Sequence, residues 1–503
     1  MKLTKEFWLV CIILIIAGFF RFYHLTTLPP GLYPDEAMNG NNALEALRAG
    51  NYKVFYPENN GREGLFMNIQ ALSLKAFGVR EPWALRFPSP VFGLLTVLGI
   101  YFLGKKLFSA RVGLLASFFA ATSVWHIMFS RIGFRAIMAP FFLTWALYLF
   151  LEALERSRNN SQPIPLRGIP HGGTTHNLRP YIYAALAGIM FGLGFYSYIA
   201  YRVSPLIFLL FVPFFYRDKA FWKVAGVFVA VAFFAALPIG LYYLHNPADF
   251  MGRTTQVSVF SSPTALRDLG TNILKTIGMF FYRGDGNWRH NVGGAPELLL
   301  PVAILFLAGI IISIRGTWRE MREIRMSPRI LSYLVLFAWF LLAFLPVVVS
   351  NEGIPHALRS ILMIPPVMIF AGMGGVWAYL WLQKWLSPRW THALSALFLA
   401  SVITASYALY FDTWANNPNT QGAFAADQVA LGRELNALGP GVPKYIVVDA
   451  GGVSVRGIPM PTQTVMFMTD TFLPVGQQEQ NIHYVLPGHE NEIPAGAQIF
   501  HIR

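Results

Sequence analysis

The sequence predicts an α-helical polytopic membrane protein with a small α/β region at its C-terminal end. Of the 503 residues, 55% are hydrophobic and 13% are charged, whereas soluble proteins carry about 25% charged residues. Apolar runs recur along most of the chain, and many reach the roughly 20 residues that a helix needs to cross a bilayer. Buried core helices of a large soluble protein are a poor alternative, because several polar domain surfaces would then be required.

The apolar runs predict about eleven transmembrane helices. They lie at 7–23, 88–104, 112–128, 136–152, 181–198, 203–216, 224–244, 298–314, 330–349, 360–382 and 391–411. The first run follows Lys2 and Lys5 but lacks a clear cleavage site, so we interpret it as a retained span. The run at 203–216 is the shortest of the set.

The basic residues predict the orientation of the chain. They concentrate in alternate short loops, for example at Lys105, Lys106, Arg315 and Arg319. The positive-inside rule then places the N-terminus inside and the C-terminus outside. The same loops account for the net charge of +14, so we expect contact with membrane lipids and no nucleic acid partner. The single cysteine, Cys11, excludes an intrachain disulfide, and the composition fits a plasma (inner) membrane of a prokaryote.

Three segments are predicted to lie outside the membrane, and they define two domains. Residues 1–411 form a membrane domain whose outer loops 24–87 and 245–297 carry the site, and residues 412–503 form a small extracytoplasmic α/β domain. The first loop contains two helix patterns, 35–49 and 63–77, which are too short to span and are expected along the interface. In the C-terminal tail, residues 412–503, a helix is predicted at 423–438, and strands are predicted to begin at Tyr445, His483 and Ile499.

Asp35 and Glu36 stand side by side directly after the first predicted span. The ordinary explanation is structural, because aspartate caps helices and acids suit the first helical turn. A carboxylate at the membrane surface is also suited to act as a general base. We therefore treat both residues as candidate catalytic groups.

Positively charged side chains gather on the same predicted face. Arg359, which follows His356 at helical spacing, is expected to need an anionic partner because it begins an apolar span. Arginines suit phosphate, although snorkelling anchors and interfacial tyrosines remain alternatives. The candidate phosphate-binding or donor-binding residues are Arg62, Arg131, Arg135, Tyr201, Arg202, His356 and Arg359.

The segment 282–291 is rich in hydrogen-bonding side chains and glycine, a mixture that suits a sugar, although a solvated loop is also compatible with it. The candidate acceptor-binding or sugar-binding residues are Glu63, Asp285, Asn287, His290, Asn291 and Glu352. The spacing of a calcium loop is absent. No obvious set of metal ligands is recognisable, so no required cofactor is predicted, and a divalent metal is left open without support.

The membrane part of the chain resembles a known family, and the resemblance is recognisable first in the first outer segment. The resemblance, which covers about residues 5–410, is to the GT-C glycosyltransferases of the protein O-mannosyltransferase and aminoarabinose (lipid A) transferase type. It rests on Pro34-Asp35-Glu36-Ala37, on Ala43, Leu44, Leu47 and Gly50, on 71–78, and on Arg86-Phe87-Pro88. It implies a polyprenyl-phosphate-linked sugar donor, inversion at the anomeric carbon, Asp35 as general base, Glu36 in support and Arg359 as a phosphate ligand.

Two departures leave the acceptor undefined among protein, lipid and glycan. Aminoarabinose transferases usually show Lys-Pro-Pro-Leu where this chain has Arg62-Glu63-Gly64-Leu65, and an aspartate common in the family's second outer loop is replaced by a loop containing Arg131 and Arg135. The alternatives to a glycosyltransferase are a transporter or lipid-linked sugar flippase, or a non-catalytic membrane assembly factor. A transporter would be expected to carry polar groups at mid-membrane depth and often paired repeats, neither of which is evident.

Overall fold

The computed structural model describes residues 4–160, 178–256, 258–322 and 328–503, and helices dominate these ranges. The helices up to the second large outer segment are α1 Lys5–Phe22, α2 Pro34–Ala49, α3 Leu65–Phe77, α4 Pro82–Arg86, α5 Pro88–Leu107, α6 Ala110–Thr122, α7 Val124–Phe129, α8 Met138–Asn160, α9 Arg179–Gly194, α10 Pro205–Leu209, α11 Val212–Phe215 and α12 Lys219–His245. The remaining helices are α13 Pro247–Gln256, α14 Ala265–Gly278, α15 Leu300–Arg322, α16 Pro328–Val348, α17 Ile364–Leu382, α18 Pro388–Tyr407, α19 Pro418–Ala423, α20 Ala426–Ala437, α21 Gln463–Thr469 and α22 Pro474–Gln480.

Within the described ranges, seven helical stretches are long and apolar enough to cross a membrane. They are 82–107, 135–159, 219–245, 300–322, 329–348, 361–382 and 388–414. Each coincides with a predicted span, so the predicted class of α-helical membrane protein is confirmed. The count of eleven spans and the inward N-terminus stay predictions.

The other four predicted spans correspond to shorter or interrupted helices. The span 112–128 is divided into α6 and α7 at Ser123, whose hydroxyl accepts a hydrogen bond from the backbone N–H of His126 and so starts a new helix. The short run at 203–216 consists of α10 and α11. Helix α1 has the length of a span but includes Glu6 and Arg21, and α9 has only 16 residues.

Helices α5, α6, α8 and α17 pack at the centre of the bundle, and α15 packs against α17. Glycine permits the closest of these contacts, because a Cβ at Gly309 would overlap the carbonyl oxygen of Phe370, and one at Gly374 would overlap that of Leu305. The apolar windows within 135–159 and 361–382 are both 78% buried, whereas those within 219–245 and 388–414 are only 22% buried. The latter two helices therefore lie at the periphery, where an apolar surface suits lipid.

The two ends of the bundle differ in chemistry. At one end, Lys105 pairs with Glu6 at 2.5 Å and Lys106 pairs with Glu152 at 2.7 Å. These residues belong to the N-terminal part of α1 and to the C-terminal parts of α5 and α8. The first outer segment and the loop 130–137 lie at the opposite end, and this end carries the predicted site.

The first outer segment is built from α2, a short hairpin and α3. Helix α2 begins at Pro34, which is suited to a first helical turn, and ends at Gly50, whose φ of 64° is readily adopted only by glycine. Strands β1 (Phe55–Tyr56) and β2 (Arg62–Glu63) pair in antiparallel fashion. The prediction of a helix from Glu63 is wrong by two residues, because Glu63 pairs with Phe55 in the hairpin and α3 begins at Leu65.

The C-terminal region contains the predicted α/β elements. Strands β3 (Lys444–Val448), β6 (Ile482–Val485) and β7 (Gln498–Ile502) form a parallel sheet in the order β6-β3-β7, and β4 (Ser454–Val455) pairs with β5 (Ile458–Pro459). The predicted helix at 423–438 begins only at Ala426. The predicted domain boundary at residue 412 falls within the π-helical stretch Ala408–Trp414 that continues α18.

This C-terminal region packs directly on α2. Helix α21 contacts α2, and the Asn41 side-chain amide donates to the backbone oxygen of Gln463 at 3.1 Å. Arg456 reaches Glu45 at 2.8 Å and Glu58 at 2.7 Å. The tail therefore covers the segment that carries Asp35 and Glu36.

Candidate active site

The structure gives the adjacent carboxylates Asp35 and Glu36 different environments. Both lie in the first turn of α2. Asp35 is half-buried, and its Oδ1 accepts a hydrogen bond of 2.6 Å from the Asn59 amide. Glu36 is fully buried. Only Asp35 is therefore placed to meet a substrate.

Arg86 and Gly133 hold Glu36 in place. The guanidinium Nε and Nη2 of Arg86 donate to the two Glu36 carboxylate oxygens at 2.8 Å each, and the N–H of Gly133 donates to Oε1 at 2.6 Å. Arg86 also donates to the carbonyl of Pro29 at 2.8 Å and to that of Gly31. Glu36 therefore anchors the start of α2 to Arg86 and Gly133. Because Asp35 is the preceding residue, Glu36 has a positioning role toward it.

Glu63, Arg135 and Arg202 form a charged cluster beside the hairpin. Arg135 Nε lies 2.6 Å from Glu63 Oε2, and Arg202 Nη2 lies 3.9 Å from Oε1. Arg202 also donates to the carbonyl of Phe250 at 2.8 Å and to the Tyr243 hydroxyl at 3.2 Å. Only Nε of Arg135 has a hydrogen-bond partner among the described residues, so its two terminal nitrogens are available to an anion.

Arg62 connects this cluster to Asp35. Its Nη1 donates to Asn39 Oδ1 at 2.7 Å and lies 3.4 Å from the backbone oxygen of Asp35. The guanidinium is almost completely buried, and Glu63 follows it in β2. Arg62 therefore places positive charge beside the backbone of Asp35.

Arg131 and Tyr201 lie inside the protein instead. The terminal nitrogens of Arg131 donate to the backbone oxygens of Phe20, Tyr23 and Leu28 at 2.7 to 3.1 Å. Its guanidinium is fully buried and lies 5.3 Å from the centre of the Tyr410 ring. Tyr201 is also fully buried and packs against Gly194 at the end of α9. The geometry supports a structural role for both residues and no phosphate contact.

Tyr33 joins the two predicted outer loops. Its ring is almost fully buried, 5.2 Å from that of Phe134 and 4.9 Å from the Arg289 guanidinium. Burial, with the negative charge of Asp35 next in effect, raises the pKa of the Tyr33 phenol well above its ordinary value, although Arg289 opposes this. The segment 282–291 therefore reaches the residue two positions before Asp35.

Asp285 organises the segment 282–291. Its Oδ1 accepts from the N–H of Asn287 at 2.8 Å, and its backbone oxygen accepts from the Asn291 amide at 3.2 Å. Burial raises the pKa of the Asp285 carboxyl, but the hydrogen bond and charge of His290, together with the charge of His356, outweigh this effect and keep the pKa below its ordinary value. Asn287 and Asn291 thus hold the loop together.

His290 and His356 converge on the same carboxylate. Asp285 Oδ2 lies 3.2 Å from Nδ1 of His290 and 3.7 Å from Nδ1 of His356, and it accepts from the N–H of Ala357 at 2.9 Å. These contacts join the loop that precedes α15 to the loop that precedes α17.

Arg359 and Glu352 pair within the second of these loops. Arg359 Nη2 lies 3.0 Å from Glu352 Oε2, and Nη1 donates to the Glu352 carbonyl at 2.8 Å and to the Ser350 hydroxyl. Glu352 is 70% exposed, whereas Arg359 is 12% exposed. The carboxylate of Glu352 is thus the anionic partner that Arg359 has in this structure.

Four important residues are absent from the predicted site. Asn59 holds Asp35, Arg86 holds Glu36, and Tyr33 with Arg289 links the loops. Arg289 lies within the polar segment 282–291, so the composition of that segment is a sequence signal for it. Arg86 pairs with an acid 50 residues away, and no local pattern signals that contact.

Comparisons with known proteins support the fold. Residues 65–164 match the family model described as dolichyl-phosphate-mannose-protein mannosyltransferase. A comparison with curated proteins gave no match. ArnT from Cupriavidus metallidurans, bound to undecaprenyl phosphate, is 14% identical with a TM-score of 0.55, over 96% of this chain and 90% of that one.

The oligosaccharyltransferase of Archaeoglobus fulgidus has a similar structure. Its complex with Zn and sulfate gives a TM-score of 0.57 at 14% identity, over 96% of this chain and 62% of that one. Its complex with an inhibitory peptide and a dolichol-phosphate gives 0.53 at 14% identity, over 88% and 62%. The chain spans 66% of the length of the apo oligosaccharyltransferase. The resemblance seen in the sequence is thus confirmed, and the chain has the fold of the GT-C membrane glycosyltransferases of the mannosyltransferase and ArnT type.

Proposed function

We propose that this protein transfers a sugar from a polyprenyl-phosphate-linked donor to an acceptor on the outer face of the plasma membrane, with inversion at the anomeric carbon. The observation that carries the proposal is the arrangement at the start of α2. Asp35 is half-buried and oriented by Asn59, while its neighbour Glu36 is fixed by Arg86. A positioned, accessible carboxylate is what general-base catalysis requires.

In the proposed reaction, Asp35 takes the proton from the acceptor hydroxyl or amine. The acceptor atom forms a bond to the anomeric carbon as the bond between that carbon and the phosphate oxygen breaks. The phosphate leaves with the bonding electron pair and remains attached to the lipid. Direct displacement of this kind inverts the anomeric configuration.

The arginines beside Asp35 are suited to the leaving phosphate. Arg135 has free terminal nitrogens among the described residues, Arg202 shares its partner Glu63, and Arg62 lies beside the backbone of Asp35. Guanidinium groups bind phosphate oxygens strongly and do not lose their charge near neutral pH. In the proposed step these arginines offset the negative charge that develops on the leaving phosphate.

The similar structures support the class of donor. ArnT from Cupriavidus metallidurans was solved with undecaprenyl phosphate, and the archaeal oligosaccharyltransferase with a dolichol-phosphate. We extend this ligand class to the present chain as part of the proposal. The acceptor remains open among protein, lipid and glycan.

The proposal is tested by sugar transfer in nanodiscs with a panel of radiolabelled polyprenyl-phosphate sugars. Wild type is compared with Asp35→Asn and with Asp427→Asn, which makes the same change in the first turn of α20 on an exposed residue. Neither helix has a side-chain cap, and asparagine has nearly the same size and shape as aspartate, so folding should survive both changes. We expect at least a roughly 100-fold loss of turnover for Asp35→Asn alone.

Each other outcome has a defined meaning. Equal turnover by wild type and Asp35→Asn would remove Asp35 as the base. No turnover of any donor by well-folded wild type would contradict the transferase proposal and favour a flippase or binding role, which transport of labelled donor across proteoliposomes would then test.

A further inference from the structure

Asp285, His290 and His356 offer one ligand atom each, and these atoms lie within 4.8 Å of one another. The carboxylate Oδ2 is 3.2 Å from His290 Nδ1 and 3.7 Å from His356 Nδ1. The imidazole rings are tilted by 33°, with their centroids 5.1 Å apart. Two separate loops supply these groups, so tertiary packing creates the cluster.

The two spacings from Asp285 Oδ2 are close to those of a tetrahedral metal centre. Bonds of about 2.0 to 2.1 Å to nitrogen and oxygen place neighbouring ligand atoms roughly 3.3 to 3.5 Å apart. The two distances from Oδ2 lie just outside this range on either side, so small side-chain rotations would bring both of them into it. Two imidazoles and one carboxylate form a ligand set typical of zinc and related transition metals, whereas calcium and magnesium prefer oxygen ligands.

The surroundings hold the carboxylate in position. Asp285 Oδ2 accepts from the N–H of Ala357 at 2.9 Å, and Oδ1 accepts from the N–H of Asn287 at 2.8 Å. The backbone N–H of Asp285 donates to Glu297 Oε1 at 3.0 Å. Hydrogen bonds of this kind orient ligands in metal sites and raise their affinity. Asp285 and His290 are almost fully buried, while 16% of the His356 side chain is exposed, which leaves one side of the cluster accessible.

We propose that Asp285, His290 and His356 bind a divalent transition metal, with zinc as the representative ion, which links the loop 283–297 to the loop 350–360. Three protein ligands leave a fourth position for water or an anionic oxygen. The alternative is a purely hydrogen-bonded arrangement in which a proton on a histidine occupies the place of the metal. The metal site is independent of the sugar transfer proposed above, because Asp35 and the arginines do not belong to it.

The test measures metal directly. Tag-free protein in nanodiscs is dialysed against a chelator, titrated with zinc, and analysed for bound zinc by mass spectrometry and for thermal unfolding. The variants are His290→Gln and His356→Gln. The matched control is His489→Gln, because His489 forms an exposed pair with Glu492 at 2.8 Å in the tail.

We expect about one zinc per chain and a higher unfolding temperature in wild type and in the control. Each ligand variant should bind zinc at least about tenfold more weakly and lose the zinc-dependent rise in unfolding temperature. Absence of retained zinc in wild type, or equal zinc binding by the ligand variants, would overturn the proposal.

A second measurement uses the wild type alone and covers the case in which a variant fails to fold. Cobalt(II) in a tetrahedral site made of two histidines and a carboxylate absorbs in the visible range, and zinc should displace it. A cobalt spectrum identical to that of the ion in buffer would contradict the proposed site.

Discussion

The ion pair between Glu36 and Arg86 provides the sharpest test of how this site is built. Both side chains are almost completely buried, at 0% and 1% exposed, and two hydrogen bonds of 2.8 Å join them. In Glu36→Gln the size of the side chain is retained but its charge is lost. The Arg86 guanidinium then stays buried without a counter-ion, and the hydrogen bond from Gly133 is weakened.

The magnitude follows from the cost of a buried, unpaired charge. Removing one partner of a buried ion pair typically costs about 3 to 5 kcal/mol. The entropy of unfolding is roughly 2 cal/mol/K per residue for globular proteins, or about 1 kcal/mol/K for 503 residues. The expected fall in Tm is therefore about 3 to 5 °C.

Thermal unfolding in nanodiscs, followed by intrinsic fluorescence, measures this shift. The control is Glu492→Gln, which removes an exposed acid whose pair with His489 should contribute less than about 1 kcal/mol. The double variant Glu36→Leu with Arg86→Met should recover much of the loss, since it leaves no unpaired charge. A Tm for Glu36→Gln within about 1 °C of wild type would refute the assignment of Glu36 as a buried anchor.

Three further predictions concern individual side chains. Asn59→Gly removes the hydrogen bond to Asp35 and is compatible with the backbone φ of 51° at this position, so kcat for sugar transfer should fall about tenfold with little change in Tm, and an unchanged kcat would contradict the orienting role. Arg131→Gln should lower the Tm without raising the KM for the donor, because the terminal nitrogens of Arg131 donate to backbone carbonyls. An unchanged Tm with a raised KM would instead indicate that Arg131 binds the donor phosphate. Burial raises the pKa of the Glu297 carboxyl well above its ordinary value. The folded protein therefore keeps a proton that the unfolded chain releases above about pH 4.3, so the free energy of unfolding declines as the pH rises. Glu297→Gln should flatten the dependence of Tm on pH between about 5 and 8, and a slope equal to that of wild type would show that Glu297 does not cause it.

Several parts of the site followed from local sequence alone. The helix that presents Asp35 has Pro34 at its start, acids in its first turn and Gly50 at its end, all of which act over a few residues. Glu63, Arg135 and Arg202 are polar residues at the predicted outer face, and the structure brings them together. Their common location was predictable because hydropathy and charge position every loop relative to the membrane.

Other assignments required the packed chain. The predicted phosphate contacts Arg131 and Tyr201 are buried among helices, and burial of a loop residue depends on which helices surround it. The interruption of the run 112–128 at Ser123 was also missed, because a hydropathy pattern does not register a helix cap within an apolar stretch.

The sequence by itself determined the membrane class, the approximate positions of the long apolar helices, the helix that begins beside Asp35, and the three strands of the tail. Each depends on composition or on periodicity over neighbouring residues. These features act through short-range backbone geometry and through burial in lipid, so they do not depend on how the helices pack. Only the tertiary structure decided that Asp35 is accessible while Glu36 is bound to Arg86, and that Asp285 meets His290 and His356. Those outcomes depend on contacts such as Arg86 with Glu36, 50 positions apart, and Gly133 with Glu36, 97 positions apart, which form when the helices pack and satisfy their buried charges.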